Sequence, residues 1–181
     1  MVLAAAVASP AVAAVSVAAG PVVGGKTQTY YNMSEISRFS SRLDNSRIEK
    51  SITEAENQTS GEIRVVLQAG KVDDPVQRAE KEFARLKMQE TAERNGVLFF
   101  VAPDAHKFAV FGDQGIHEKC PENFWEEIAA AMEQHFRADD PTQALVEGIT
   151  RAGSLLAAEF PRQNDDRDEL SNEVVNRPAD G

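Results

Sequence analysis

The sequence predicts an α/β fold, a three-layer sandwich whose central mixed β-sheet combines a parallel crossover with an antiparallel hairpin and is flanked by about four helices. Two observations carry this. After Arg94, Asn95 and Gly96, the run Val97-Leu98-Phe99-Phe100-Val101-Ala102 is apolar, β-branched or aromatic at every position, as a strand buried on both faces should be. Pro103 and Asp104 then supply turn chemistry, and Lys107-Phe108-Ala109-Val110-Phe111 returns antiparallel. It ends at Gly112-Asp113-Gln114-Gly115, where glycine permits backbone angles that other residues resist. The second observation is the order of patterns upstream: a strand pattern at 62–68, a helical pattern, then the 97–102 run. A right-handed crossover of this kind places its two strands parallel.

The elements follow in order. Residues 1–25 consist almost wholly of Ala, Val, Gly, Pro and Ser and carry no charge. With the polar stretch to residue 45 they are read as a disordered, low-complexity segment and linker, with a short helical piece near residues 33–39. Export by the Ala/Val-rich segment is the alternative. Against it, a signal segment would carry a positive start, which is missing here, and Pro10 and Pro21 interrupt the run. No firm transmembrane segment is read, because alanine and glycine insert poorly, and Met33 is an alternative initiator; a cytoplasmic location is favoured.

The domain is read over residues 46–162. Asp44 and Ser46 are N-cap residues, and Ile48, Ile52 and Ala55 recur at helical spacing after them. Gly61 is read as the C-cap of that helix. Asp73, Asp74 and Pro75 open a second helix, which buries Val76, Ala79, Phe83 and Leu86. Beyond the hairpin, a third helix starts near Glu122 or Asn123 and buries Phe124, Ile128, Met132 and Phe136, with Trp125 a packing residue on its flank. A fourth follows the Asp139-Asp140-Pro141 junction and runs through Leu145, Ile149, Leu156 and Phe160 to Pro161. Residues 163–181 are an acidic tail whose few apolar residues could dock on the domain.

Composition narrows the function. At 181 residues and 42% hydrophobic content there is enough chain for one domain with tails. The formal net charge of -10 would repel phosphate backbones and anionic lipid, so nucleic-acid binding is disfavoured. Such a surface collects divalent cations or simply keeps the chain soluble. Cys120 is the only cysteine, which excludes an internal disulfide and a multi-cysteine zinc site. His106, His117 and His135 lack the spacing of a helical zinc pair.

Strand directions point to one place for chemistry. With the first two strands parallel and the third antiparallel to them, Glu62, the Arg94-Asn95-Gly96 entry and the Gly112-Asp113 exit share one edge of the sheet. Hard cations take several oxygen ligands, and Glu62, Asn95 and Asp113 offer side-chain oxygens there, with the Gly112 and Gly115 carbonyls, Gln114 and Glu118 as extras. The competing reading pairs Arg94 with Asp113 or Glu62 and leaves nothing to bind. Asp104 and His106 sit at the opposite end, where turn formation explains them. No nucleophile elbow and no phosphate-cradling glycine loop is present.

Several pieces, taken together and in order, resemble the TPM domain family, whose name gathers a thylakoid lumen protein, a photosystem II repair protein and a nematode acetylcholine-receptor accessory protein. They are Thr59-Ser60-Gly61-Glu62-Ile63-Arg64-Val65, Arg94-Asn95-Gly96-Val97, Lys107 to Ile116, Pro121-Glu122-Asn123-Phe124-Trp125, Ala144 to Ile149, and Asp168 to Val174. The likeness spans about residues 46–175 and is strongest to the compact bacterial single-domain branch; Ser171 stands where the family usually has proline. The resemblance implies an α/β sandwich, a suggested acid phosphatase activity, divalent cation binding, and accessory or repair roles in some members. The expectation for this chain is a module that binds calcium or magnesium through Glu62, Asn95 and Asp113 and serves an unidentified protein partner in a membrane or envelope complex. The alternative is a metal-assisted acid phosphatase with Asp113 as ligand or nucleophile.

Overall fold

The computed structural model describes residues 13–18, 35–162 and 171–179. The expectations for residues 1–12, 19–34 and 163–170, including the export segment and Met33, lie outside the described residues. Among the described residues five strands form one sheet: β1 (Ala13–Ala18), β2 (Ile63–Gln68), β3 (Val97–Ala102), β4 (Lys107–Gly112) and β5 (Val175–Arg177). Their spatial order is β1-β4-β3-β2-β5. The crossover and hairpin are as the sequence predicts, with β2 parallel to β3 and β3 antiparallel to β4. Two further strands extend the sheet: β1 lies antiparallel to β4, and β5 lies parallel to β2.

Six helices of the described residues accompany the sheet: α1 (Glu35–Ser40), α2 (Asn45–Glu56), α3 (Pro75–Arg85), α4 (Gln114–His117), α5 (Phe124–Arg137) and α6 (Pro141–Glu159). The four long ones are those the apolar spacing announces, while α1 and α4 add about a turn each. Four begin with an aspartate whose side chain accepts a backbone N–H of the first turn, namely Asp44, Asp74, Asp113 and Asp140. Such a cap satisfies donors that a helix start leaves open.

Residue parity in the strands sorts the core into two layers. Ile63, Val65, Leu67, Val97, Phe99, Val101, Phe108 and Val110 pack on one face against α2, α5 and α6. Val66, Leu98, Phe100, Ala102, Ala109 and Phe111 pack on the other with Val76, Ala79 and Phe83 of α3. A period-two side-chain alternation with both faces covered makes β3 wholly apolar and leaves β2 and β4 apolar except for Arg64, Gln68 and Lys107. The Phe83 and Phe111 rings lie 5.0 Å apart on the α3 side.

Three local expectations are corrected. The C-cap of α2 is Asn57, and Gly61 lies four residues beyond it. A Cβ on Gly61 would sit 2.8 Å from Leu156 Cδ2 and 3.1 Å from the Asn95 carbonyl, so this glycine serves close approach of the β2 entry to α6 and β3. Neither Gly112 nor Gly115 takes a left-handed φ; among the described glycines only Gly70 does. The buried face of α5 is Trp125, Ile128, Ala129 and Met132, with Phe124 and Phe136 half-buried. The helix begins at Phe124, after Asn123 as its N-cap in a left-handed conformation, and Trp125 belongs to the buried face rather than the flank.

Candidate functional site

The edge holding the starts of β2 and β3 and the end of β4 is tied together by backbone bonds. Val97 N–H donates to the Glu62 carbonyl at 2.7 Å, Asp113 N–H to Gly96 at 3.0 Å, and Gly115 N–H to Arg94 at 3.0 Å. Glu62, Asn95 and Asp113 are therefore neighbours along the chain ends of three adjacent strands. All three are buried, Asn95 and Asp113 at 1% exposure and Glu62 at 5%. Buried polar groups of this kind need partners, and each finds a different one.

Asp113 is held by Arg94. Arg94 Nε reaches Asp113 Oδ2 at 2.7 Å and Nη2 reaches Oδ1 at 2.8 Å, a two-point fork. Asp113 Oδ1 also accepts the Gln114 N–H at 2.8 Å, which caps α4. The pairing foreseen as the competing reading is thus present between Arg94 and Asp113. The carboxylate raises the Arg94 guanidinium pKa through the hydrogen bond, against a smaller opposing effect of burial. The pair is asymmetric: the Arg94 side chain is 48% exposed and that of Asp113 is 2% exposed.

Asn95 belongs to a second network. Its Nδ2 donates to Ser60 Oγ at 3.0 Å, and Ser60 Oγ donates to the Glu93 carboxylate. Its own N–H reaches Thr91 Oγ1 at 3.3 Å. Asn95 Oδ1 is buried and has no hydrogen-bond partner among the described residues.

Glu62 faces a buried arginine. Arg64 Nη2 lies 3.8 Å from Glu62 Oε2, and both side chains are almost wholly enclosed. Burial lowers the Arg64 pKa, and the charges of Glu56 and Glu62 oppose that fall. Glu56 Oε1 accepts the Ile63 N–H at 2.8 Å and so fastens the start of β2. Arg64 and Glu56 were missed as site residues in the sequence. Their signal was legible: an arginine inside an apolar strand must be paired if the strand is covered on both faces.

The remaining candidates lie apart. Gln114 Nε2 donates to Glu118 Oε1 at 3.1 Å on the exposed flank of α4. At the far end of the sheet, Pro103–Ala105 form a 3-10 turn closed by His106 in a left-handed conformation. Asp104 does more than form that turn, since its two oxygens accept the Ile36 and Gly70 N–H groups at 3.0 and 2.5 Å. Burial pushes the Cys120 thiol up, which makes it a poor nucleophile. Among the described residues, no three His, Cys, Asp or Glu side chains are grouped to hold a metal ion, and no helix is long and apolar enough to cross a membrane.

The model of the TPM domain family matches residues 39–155, a span that holds the whole edge just described. The chain belongs to the TPM domain family. Its fold is similar to the NMR structure of the BA42 protein from the psychrophilic bacterium Bizionia argentinensis, at 39% identity and a TM-score of 0.68. That likeness covers 73% of this chain and 91% of BA42. No curated protein matches the chain. The matched span holds β2, β3 and β4 with helices around them, and β1 and β5 lie outside it.

Proposed function

We propose that this TPM domain is a divalent-cation-binding accessory module that serves a protein partner in a membrane or envelope complex. Glu62, Asn95 and Asp113 are its side-chain donors, and calcium or magnesium is the cation. The observation that carries the reading is Asn95 Oδ1, a buried acceptor without a partner among the described residues, at the same sheet edge as two buried carboxylates. An oxygen left in this state costs about 1–3 kcal/mol unless something donates to it or coordinates it. The net charge of -10 favours cation capture in the same sense. Bound there, a hard cation would supply positive charge to oxygens that the fold has already removed from water.

The chain's own residues set a condition on this. Arg94 occupies both Asp113 oxygens, so it must withdraw before that carboxylate can serve. Its exposed side chain can swing into solvent without disturbing the core, whereas Asp113 cannot move. Arg94 therefore competes for the site. The test is a titration of the full chain with calcium and magnesium, read by backbone amide shifts, alongside Arg94→Ala. We expect localised shifts at Glu62, Asn95 and residues 112–115, with affinity raised about tenfold in the variant, the scale of one exposed-to-buried ion pair removed as a competitor. No localised change at millimolar metal would sink the site.

The second reading, a metal-assisted acid phosphatase, draws on the name of the family model, which includes the word phosphatase. It needs the same withdrawal of Arg94 before Asp113 can act as ligand or nucleophile. Turnover of an aryl phosphate in the metal-loaded samples would move this reading ahead of the first.

A further inference from the structure

At the end of β2 remote from Asp113, a cleft of about 460 Å³ opens between α3 and β5. Its lining includes Gln68 of β2, Arg78, Lys81, Glu82 and Arg85 of α3, and Arg177 of β5. Four cations and a single carboxylate line it, in a chain whose net charge is -10. Arg78, Lys81 and Arg85 recur at the three- and four-residue spacing that places side chains on one face of a helix. Like charges at this spacing repel, and with Arg177 they outnumber the one carboxylate of the lining four to one.

Glu82 explains how the cleft holds its shape. Its side chain is 7% exposed, and its Oε2 accepts Arg85 Nε at 3.1 Å, Arg85 Nη2 at 2.7 Å and Arg177 Nε at 3.1 Å. One buried carboxylate thus anchors two guanidinium heads from different elements. Each guanidinium has five N–H donors in a fixed plane, so these bonds use two donors of Arg85 and one of Arg177. Arg78 is steadied by Gln68, through Nη2 to Oε1 at 3.0 Å. Side chains fixed in this way lose little rotamer freedom when an anion arrives. A cleft of this volume is in the range of small-molecule sites.

We propose that this cleft binds a small multivalent oxyanion of the phosphate or polycarboxylate type, with Arg78, Lys81, Arg85 and Arg177 as its donors. The site is independent of the sheet edge at Asp113, which lies on the order of 17 Å away along β2. Planar guanidinium forks match the paired oxygens of phosphate and carboxylate, and the ammonium of Lys81 adds a point charge.

The test uses the full chain, labelled for amide detection and titrated at constant ionic strength with inorganic pyrophosphate and, separately, with citrate. Saturable shifts confined to Arg78, Lys81, Arg85 and Arg177 and their neighbours are expected, and the tighter of the two probes identifies the source of the oxyanion. Lys81→Glu leaves both partners of Glu82 in place, so the fold is preserved, and we expect it to weaken binding at least about tenfold through reversal of one charge. The proposal is overturned if neither probe gives a saturable change below about 10 mM, or if Lys81→Glu binds as the parent chain does.

Discussion

Gly115 shows how tightly the Asp113 edge is built at the scale of one residue. A Cβ there would overlap the Glu93 carbonyl oxygen and stand 2.8 Å from that of Arg94. Both are backbone atoms, so no side-chain rotation relieves the contact, and the bond from Gly115 N–H to the Arg94 carbonyl would have to lengthen. Gly115→Ala is expected to lower stability by about 1–3 kcal/mol, as overpacking does, measured as a lower urea midpoint at unchanged slope. An unchanged midpoint would show that the Glu93-Arg94 turn is soft. The same backbone contact places Arg94 opposite Asp113. That pairing was legible in the sequence, because the strand directions bring the two residues to one edge. The orphaned Asn95 Oδ1 was not, since only the positions of Ser60 and Thr91 determine which of its atoms are satisfied.

At the scale of elements, Asp104 acts as a cap for a helix 68 residues away. Its carboxylate takes the Ile36 N–H at the start of α1 and, with the other oxygen, the Gly70 N–H of the loop after β2. A reading confined to Pro103 and its neighbours finds only a turn, because turn formation alone already accounts for an aspartate at that place. Asp104→Ala is expected to reduce hydrogen-exchange protection at Ile36 and Gly70 by roughly tenfold or more, the kinetic equivalent of losing about 1–3 kcal/mol of acceptor at each. Amides in the centre of β3 should keep their protection. Equal loss everywhere would mean that Asp104 supports the whole fold rather than these two segments.

The whole molecule depends on an edge that its C-terminal segment supplies. β5 is only three residues long, yet it covers the outer side of β2, buries Val174, packs Val175 against the α3 layer and brings Arg177 to Glu82. Removal of residues 163–181 is expected to cost about 2–4 kcal/mol, the transfer value of one buried and one half-buried valine, and to leave the β2 edge open to a second chain. Sedimentation velocity should then show concentration-dependent self-association beyond that of the full chain. A truncated chain that stays monomeric with unchanged melting would show that the segment is an accessory to the sheet.

What the sequence determined by itself was the layered core. Apolar runs at 97–102 and 108–111, and one at 63–67 broken only by Arg64, call for strands covered on both faces, and the helical spacing between the first two strands calls for the parallel crossover; these are local periodicities, and the hydrophobic effect reads them without knowing the rest of the chain. The tertiary structure decided the polar interior. Arg64 with Glu62 and Glu56, Arg177 with Glu82, and Asp104 with Ile36 and Gly70 join residues whose charges look like ordinary surface until the sheet order sets them side by side. A hydrogen bond or ion pair depends on distances of a few ångströms between segments far apart in sequence, and such distances exist only once the strands have taken their places.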